Sequence, residues 1–374
     1  MLRYLTAGES HGECLVATVE GMPAGLKVDV ESIDRDMELR QQGYGRGARM
    51  KIEKDRVHFL SGLRSGVTIG SPIAIQIENK DNTIDRLPPV FEPRPGHADL
   101  SGALKYGHRD IRSVLERASA RETAARVAVG SLAKCLLKEF GISVHAYVVM
   151  IGGIWAKMRA VSAQELARAI GHSLVRCPDR AVEKKIISAI DKAKAQGNTL
   201  GGAFEIRVTG APVGLGSFVQ WDRKLDGRLA RALMSVQTVK AVEMGLGIRS
   251  SQSLGSESHD EIFWTKSRGF YRKTESAGGI EGGMSNGEDI VMRAYLKPIA
   301  TLKRPLRSVD VRTKKPVKAT YQRSDVCTVP AASVIGEAVV AFEMADALCE
   351  KIGGDSIHEM MRNYKGYLKQ VHEF

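Results

Sequence analysis

Long apolar runs, paired cysteines and aromatic rings are what this chain has little of. No apolar run reaches the roughly 18 residues of a membrane-spanning helix. The opening MLRYLTAGESHG lacks the apolar core of a signal peptide, so the sequence predicts a soluble, cytoplasmic protein with no membrane partner. The cysteines number 5 (Cys14, Cys135, Cys177, Cys327 and Cys349) and lie far apart without a C-x-x-C pair, which argues against a disulfide frame or a zinc site. Histidine and carboxylate spacing marks no metal site either, and none is expected. Aromatic residues make up only 6% of the chain and are not interleaved with arginine. With no helix-turn-helix, zinc-finger or RRM pattern, nucleic acid is not the expected partner. Acid is in the minority, 43 residues against 55 basic ones, for a net charge of +12. Because the basic residues are dispersed, that field suits a small, multiply charged metabolite.

What is present begins at Gly8-Glu9-Ser10-His11-Gly12. The pentapeptide satisfies the G-x-S-x-G elbow of serine hydrolases, but there the serine turns a strand into a helix after earlier strands have been laid down. Here almost nothing precedes it, and residues 13–20 alternate like a strand. It is therefore read as a glycine-flanked loop presenting Ser10 and His11.

Strand signals occur at 14–20, 67–77, 143–150, 202–209 and 290–296; helical periodicity is clearest at 113–140, 178–196 and 331–352. Ser113 to Glu116 fits a capping box, and Gly141 a C-terminal stop. Without regular βαβ alternation or a nucleotide-binding glycine motif, the pattern favours an α+β layered sandwich. Three echoes suggest two related halves, about 14–140 and 203–350. V-x-G-x-P-x-G-L occurs from Val19 and from Val208; Gly62, Gly66 and Gly70 match Gly279, Gly283 and Gly287; Asp110 to Val114 matches Asp325 to Val329.

The residues suited to chemistry are few. In 91–99, two prolines stiffen a loop holding Arg94 and His97, where His97 is either a turn cap or a working imidazole. Arg40 and Arg46 flank or enter the glycine-rich tract 43–47, read as an anion-binding loop. Arg117 and Arg121, four apart, lie on one face of the predicted helix beside Ser119, either to meet a ligand or to pair with Glu116 and Glu122. Residues 278–287 expose backbone N–H groups fit for phosphate or a flat heterocycle, and Asp325 is an acid available to orient an arginine. Together these describe general acid–base chemistry on an anionic, phosphorylated substrate.

Five motifs in one order resemble the chorismate synthase family over essentially the whole chain: residues 8–12, 94–99, 116–123, 279–287 and 323–325. The lead Glu275-Ser276-Ala277 departs from the asparagine-containing family pattern. The resemblance implies a single domain with a β-α-β sandwich fold, assembled as a homotetramer. It implies the anti-1,4-elimination of phosphate from 5-enolpyruvylshikimate 3-phosphate to give chorismate, with reduced FMN as cofactor. By the same resemblance His11 protonates the reduced flavin with Ser10 positioning, His97 stands near the leaving phosphate, and Asp325 tunes the flavin or its proton relay. Arg40, Arg46, Arg94 and Arg121 match positions for the substrate's anions, the first two also for NADPH. Arg117, Ala118, Ser119, Gln237, Thr238, Gly282, Lys297, Pro298, Ile299, Ala300, Thr301 and Arg323 match flavin-contacting segments. No inserted reductase-like segment is visible, so an external flavin reductase is the expected source of electrons.

Overall fold

A helix that is apolar on nearly every side has to be buried, and the stretch from Val329, with few charges in its first half, is such a helix. In the structure, a computed structural model that describes residues 1–47, 53–157, 163–321 and 325–374, the helix Val329–Ile352 runs through the interior. It touches a sheet on each side. A Cβ added at Gly336 would lie 2.4 Å from the ring of Phe204, and Phe342 meets Tyr4 edge-on, with ring centroids 4.7 Å apart. The helix Thr123–Glu139 lies against it, so close that a Cβ on Gly130 would sit 2.2 Å from the carbonyl oxygen of Ala338.

Two antiparallel sheets enclose this helical layer. One has four strands in the order Arg3–Ala7, Cys14–Glu20, Ile73–Glu78, His58–Phe59. The other has five, in the order Val239–Met244, Ile290–Leu296, Gly202–Thr209, Ser143–Ile151, Ile154–Trp155. Alternation decides the inner faces: Leu15, Ala17 and Val19 with Ile73, Ile75 and Ile77 are buried, while their neighbours face outward. The architecture is the expected α+β, β-α-β sandwich. All five cysteines are free. Among the described residues no helix is long and apolar enough to cross a membrane.

One turn is built twice. Thr68 Oγ1 donates to the Pro23 carbonyl at 2.6 Å and accepts from Leu26 N at 2.9 Å. Ser285 Oγ does the same with the Pro212 carbonyl, at 2.6 Å, and with Leu215 N, at 2.8 Å. The backbone bonds repeat as well: Gly25 N to Thr68 O matches Gly214 N to Ser285 O. Strand register repeats with them, Val19 opposite Ile73 and Val208 opposite Ile290. The third echo falls on unlike elements, because Asp110 precedes the short helix Arg112–Arg117 whereas Asp325 leads straight into the long one.

The helix expected over 113–140 is broken. Helix 112–117 starts without a side-chain cap, so Ser113 is not its capping residue. At Ser119 the backbone turns extended (φ −61°, ψ 142°), and the Ser119 hydroxyl accepts from Arg121 N to start the chain turning again. Beyond it 123–139 runs unbroken to Gly141, whose φ of 73° supplies the expected stop. The strand expected at 67–77 is likewise two pieces, Val67–Thr68 and 73–78.

Candidate active site

The break at Ser119 determines where the site's side chains go. Helix 112–117 delivers Glu116 inward, and Arg117 outward to the carbonyls of Gly8 and Thr6, each at 3.1 Å. Beyond the break Arg121 turns into the interior, so the two arginines do not share a face. Neither pairs with Glu116 or Glu122; those acids take Arg112 (3.4 Å) and Arg126 (2.9 Å).

The loop 8–12 is held against this segment. Ser10 N donates to the Glu116 carbonyl at 3.1 Å, and the Ser119 hydroxyl reaches the Ser10 hydroxyl at 3.2 Å. Asn79 donates to the carbonyls of Glu9 (3.0 Å) and Gly12 (2.7 Å) from below. His11 Nδ1 lies 2.7 Å from Glu116 Oε2, while its Nε2 is 3.8 Å from Asp81. Burial works to raise the Glu116 carboxyl, but the hydrogen bonds and charges of His11 and Arg112 hold it below the ordinary range.

His97 sits in a second constrained loop. Its Nδ1 is 2.5 Å from Asp99 Oδ1, and Arg94 Nη2 lies 3.0 Å from the same ring nitrogen. Arg94 also donates to Asp99 Oδ2 (2.8 Å) and to Thr301 Oγ1 (3.0 Å). Despite burial, these partners push the Asp99 carboxyl far below the usual range. The bond to Thr301 ties this loop to the segment 297–301. From the other end of that segment the Lys297 ammonium reaches the carbonyl of Gly96. Burial and nearby Lys240 push the Lys297 ammonium below its ordinary value.

A chain of contacts joins the two loops. Glu122 accepts from Thr6 Oγ1 at 3.2 Å and from Gln237 Nε2 at 3.3 Å, and the Thr238 carbonyl accepts from Lys297 N at 2.9 Å. Thr238 is held at φ 73°, a conformation costly for a β-branched residue, and the buried Gln237 Oε1 has no hydrogen-bond partner among the described residues. Pro298, Ile299 and Ala300 complete the segment, with the Ile299 carbonyl fixed by Thr199 Oγ1 at 2.9 Å. No described hydrogen bond ties Gly282 to this network; it turns the corner between 280–281 and 284–285 with open space around it.

Arg40 and Arg121 are deeper than a surface loop would put them, 3% and 4% exposed. Both close on Asp55: Arg40 Nη2 at 2.6 Å, and Arg121 Nη1 at 2.6 and 2.7 Å from the two oxygens. Arg121 Nε goes to Asn79 Oδ1 at 2.8 Å. Burial lowers the Arg40 guanidinium, with Arg121 and Arg46 pushing the same way, so three guanidinium groups share one neighbourhood. Arg46 pairs with Asp325 at 2.6 Å, which also accepts from Gly47 N at 2.5 Å. Arg323 lies outside the described residues. Among the described residues no cluster of histidine, cysteine and carboxylate could hold a metal ion.

Sequence reasoning did not single out Asp55, Asn79, Asp81 or Asp99 as partners. The one local signal was Glu116, an acid next to Val114 and Leu115 on a buried helical face.

The comparisons with known proteins agree. The family model described as chorismate synthase matches residues 2–349. The chorismate synthase of Desulforudis audaxviator is 54% identical over 385 aligned positions, covering 99% of this chain and 98% of the relative. That of Geobacter sulfurreducens is 54% identical over 393, with both chains covered fully, at 100%. A solved structure titled "Crystal Structure of Chorismate Synthase" superposes with a TM-score of 0.83 at 41% identity, covering 100% of this chain and 99% of the other. The chain belongs to the chorismate synthase family.

Proposed function

We propose that this chain converts 5-enolpyruvylshikimate 3-phosphate to chorismate and phosphate by anti-1,4-elimination, with reduced FMN as its cofactor. The observation that carries the reading is the connected network holding two histidines, each on a buried carboxylate, against 237–238 and 297–301. The residues present fit a flavin: the buried Gln237 oxygen has no partner among the described residues, Thr238 beside it is held in a strained conformation, and the Lys297 ammonium is partly buried near them. Arg117, Ala118, Ser119, Gln237, Thr238, Gly282, Lys297 to Thr301 and Arg323 would hold it. When bound, reduced FMN supplies electron density for loss of a poorly acidic hydrogen.

This chain's residues do the rest. His11 exchanges a proton through Nε2, and Ser10 with Ser119 fixes the loop that carries it. His97, steadied by Asp99 and Arg94, is the acid beside the leaving phosphate. Arg40, Arg46, Arg94 and Arg121 offset the substrate's phosphate and two carboxylates in a site where burial strengthens every charge. Asp325 orients Arg46 and tunes the flavin or its proton relay. The finer reading adds a cytoplasmic homotetramer, supplied by an external flavin reductase instead of reducing FMN with its own NADPH. It also treats 1–374 as one domain of two related halves, which the twice-built turn supports.

The test is chorismate formation under anaerobic conditions with and without reduced FMN. Activity that requires catalytic flavin is expected. Equal activity without it overturns the reading, and stoichiometric NADPH consumption points instead to an oxidoreductase.

A further inference from the structure

Three donors converge on the buried side chain of Glu116. His11 Nδ1 (2.7 Å) and His11 N (3.1 Å) share Oε2, and Arg112 Nη1 lies 3.4 Å from Oε1. Arg112 is pinned in turn to the Pro88 carbonyl at 2.9 Å, so the carboxylate is fenced from behind. We propose that Glu116 is the positioning residue of His11, fixing the imidazole with Nδ1–H inward so that Nε2 is the atom that exchanges a proton with the site. The inference deepens the proposed function and rests on it.

The chemistry follows from the acceptor. An ionised carboxylate can only accept, so the neutral ring beside it carries its proton on Nδ1. Because one oxygen takes both the backbone and the ring of the same residue, it fixes the side-chain angle as well as the tautomer. Nε2 then faces outward, in a side chain 20% exposed, toward the half-exposed Asp81 at 3.8 Å. The charged groups around the ring are thus Glu116 with Arg112 behind it on helix 112–117, and Asp81 on the loop in front. His97 differs, since the Asp99 that meets its Nδ1 is shared with three donors of Arg94. If Glu116 were only a brace for Arg112, the state of the ring would not depend on it.

Histidine labelled with nitrogen-15, followed by NMR in the wild-type protein without flavin, reads the ring directly. The neutral ring of His11 is expected to carry its proton on Nδ1; a neutral ring carrying its proton on Nε2 overturns the proposal without touching the proposed function. In turnover, Glu116→Gln presents an amide N–H where three donors converge. It is expected to lower kcat on the order of 10- to 100-fold, the scale seen when a ligand's orienting partner is removed. KM for the substrate should change little, and the pH limb of kcat should move. Glu116→Asp, which keeps the charge, should recover part of the loss. Glu116→Gln in a His11→Ala background should lose nothing further, because the two act as one unit. Additive losses, or an unmoved pH limb in a folded Glu116→Gln variant, overturn the proposal. Wild-type turnover in His11→Ala overturns it together with the functional reading. Should Glu116→Gln fail to fold, the wild-type spectrum alone decides.

Discussion

Replacing Asp55 tests how the arginine cluster is held together. Its carboxylate accepts from Arg40 at 2.6 Å and from Arg121 at 2.6 and 2.7 Å. Asp55→Asn keeps the shape but sets an amide against two guanidinium groups that can only donate. Among the described residues, Glu53 at 3.9 Å from Arg121 is the further carboxylate left to compensate. Removing one partner of a buried ion pair costs about 3–5 kcal/mol, a large share of the roughly 5–15 kcal/mol that keeps a protein folded. At about 2.1 cal/mol/K of unfolding entropy per residue, a chain of 374 residues shifts by roughly 1.3 °C per kcal/mol, so the melting temperature should fall by about 4–6 °C.

The same substitution changes the pH response. Burial raises the Asp55 carboxyl, but Arg40 and Arg121 outweigh it, and the folded value lies below the ordinary one. A depressed folded pKa contributes stability that is fully present above the unfolded value of about 3.9 and is lost as pH falls through the folded value. The variant should lack that acid limb. It should also regain stability in phosphate more than the wild type does, since an anion offsets the uncompensated guanidinium charge; at 100 times its Kd a ligand adds about 2.7 kcal/mol. Urea unfolding followed by circular dichroism, across pH and phosphate, measures all three effects. A loss below about 1 kcal/mol, the scale of an exposed pair, would refute the reasoning.

Two further outcomes follow from the geometry. His11→Ala and His97→Ala should each lower anaerobic turnover on the order of 10²-fold or more while circular dichroism stays unchanged; wild-type rates in either would remove that histidine from the mechanism. Gly130→Ala should cost about 1–3 kcal/mol by overpacking, because its methyl would meet the Ala338 carbonyl at 2.2 Å. An unmoved urea midpoint would show that the two helices do not touch there.

The elements with clean periodicity were legible in the sequence. Strands 202–209 and 290–296 fall where alternation puts them, and the helix expected at 178–196 is Arg180–Ala195. Helix 113–140 was not, because Ser119 leaves the helix through its own hydroxyl, a local preference that apolar spacing does not register. The site was legible as a set of motifs and illegible as a set of partners. His11, His97 and Asp325 stand in recognisable loops, but Asp55, Asn79 and Asp81 are single polar residues in unremarkable settings, and such residues are normally surface. Only folding shows that they meet arginines and a histidine from elsewhere in the chain.

The twice-built turn and the site differ in how far apart their parts lie along the chain. The turns close over short spans, 42 residues from Leu26 to Thr68 and 70 from Leu215 to Ser285. Parts of the site are as local, with Arg40 meeting Asp55 over 15 residues, but the contacts that join its parts close over long spans: 105 residues from His11 to Glu116, 207 from Arg94 to Thr301 and 279 from Arg46 to Asp325. Longer closures carry more chain entropy and form later. During folding each half can therefore close its own turn while the parts of the site are still separate, and the joined site arrives with the last contacts made.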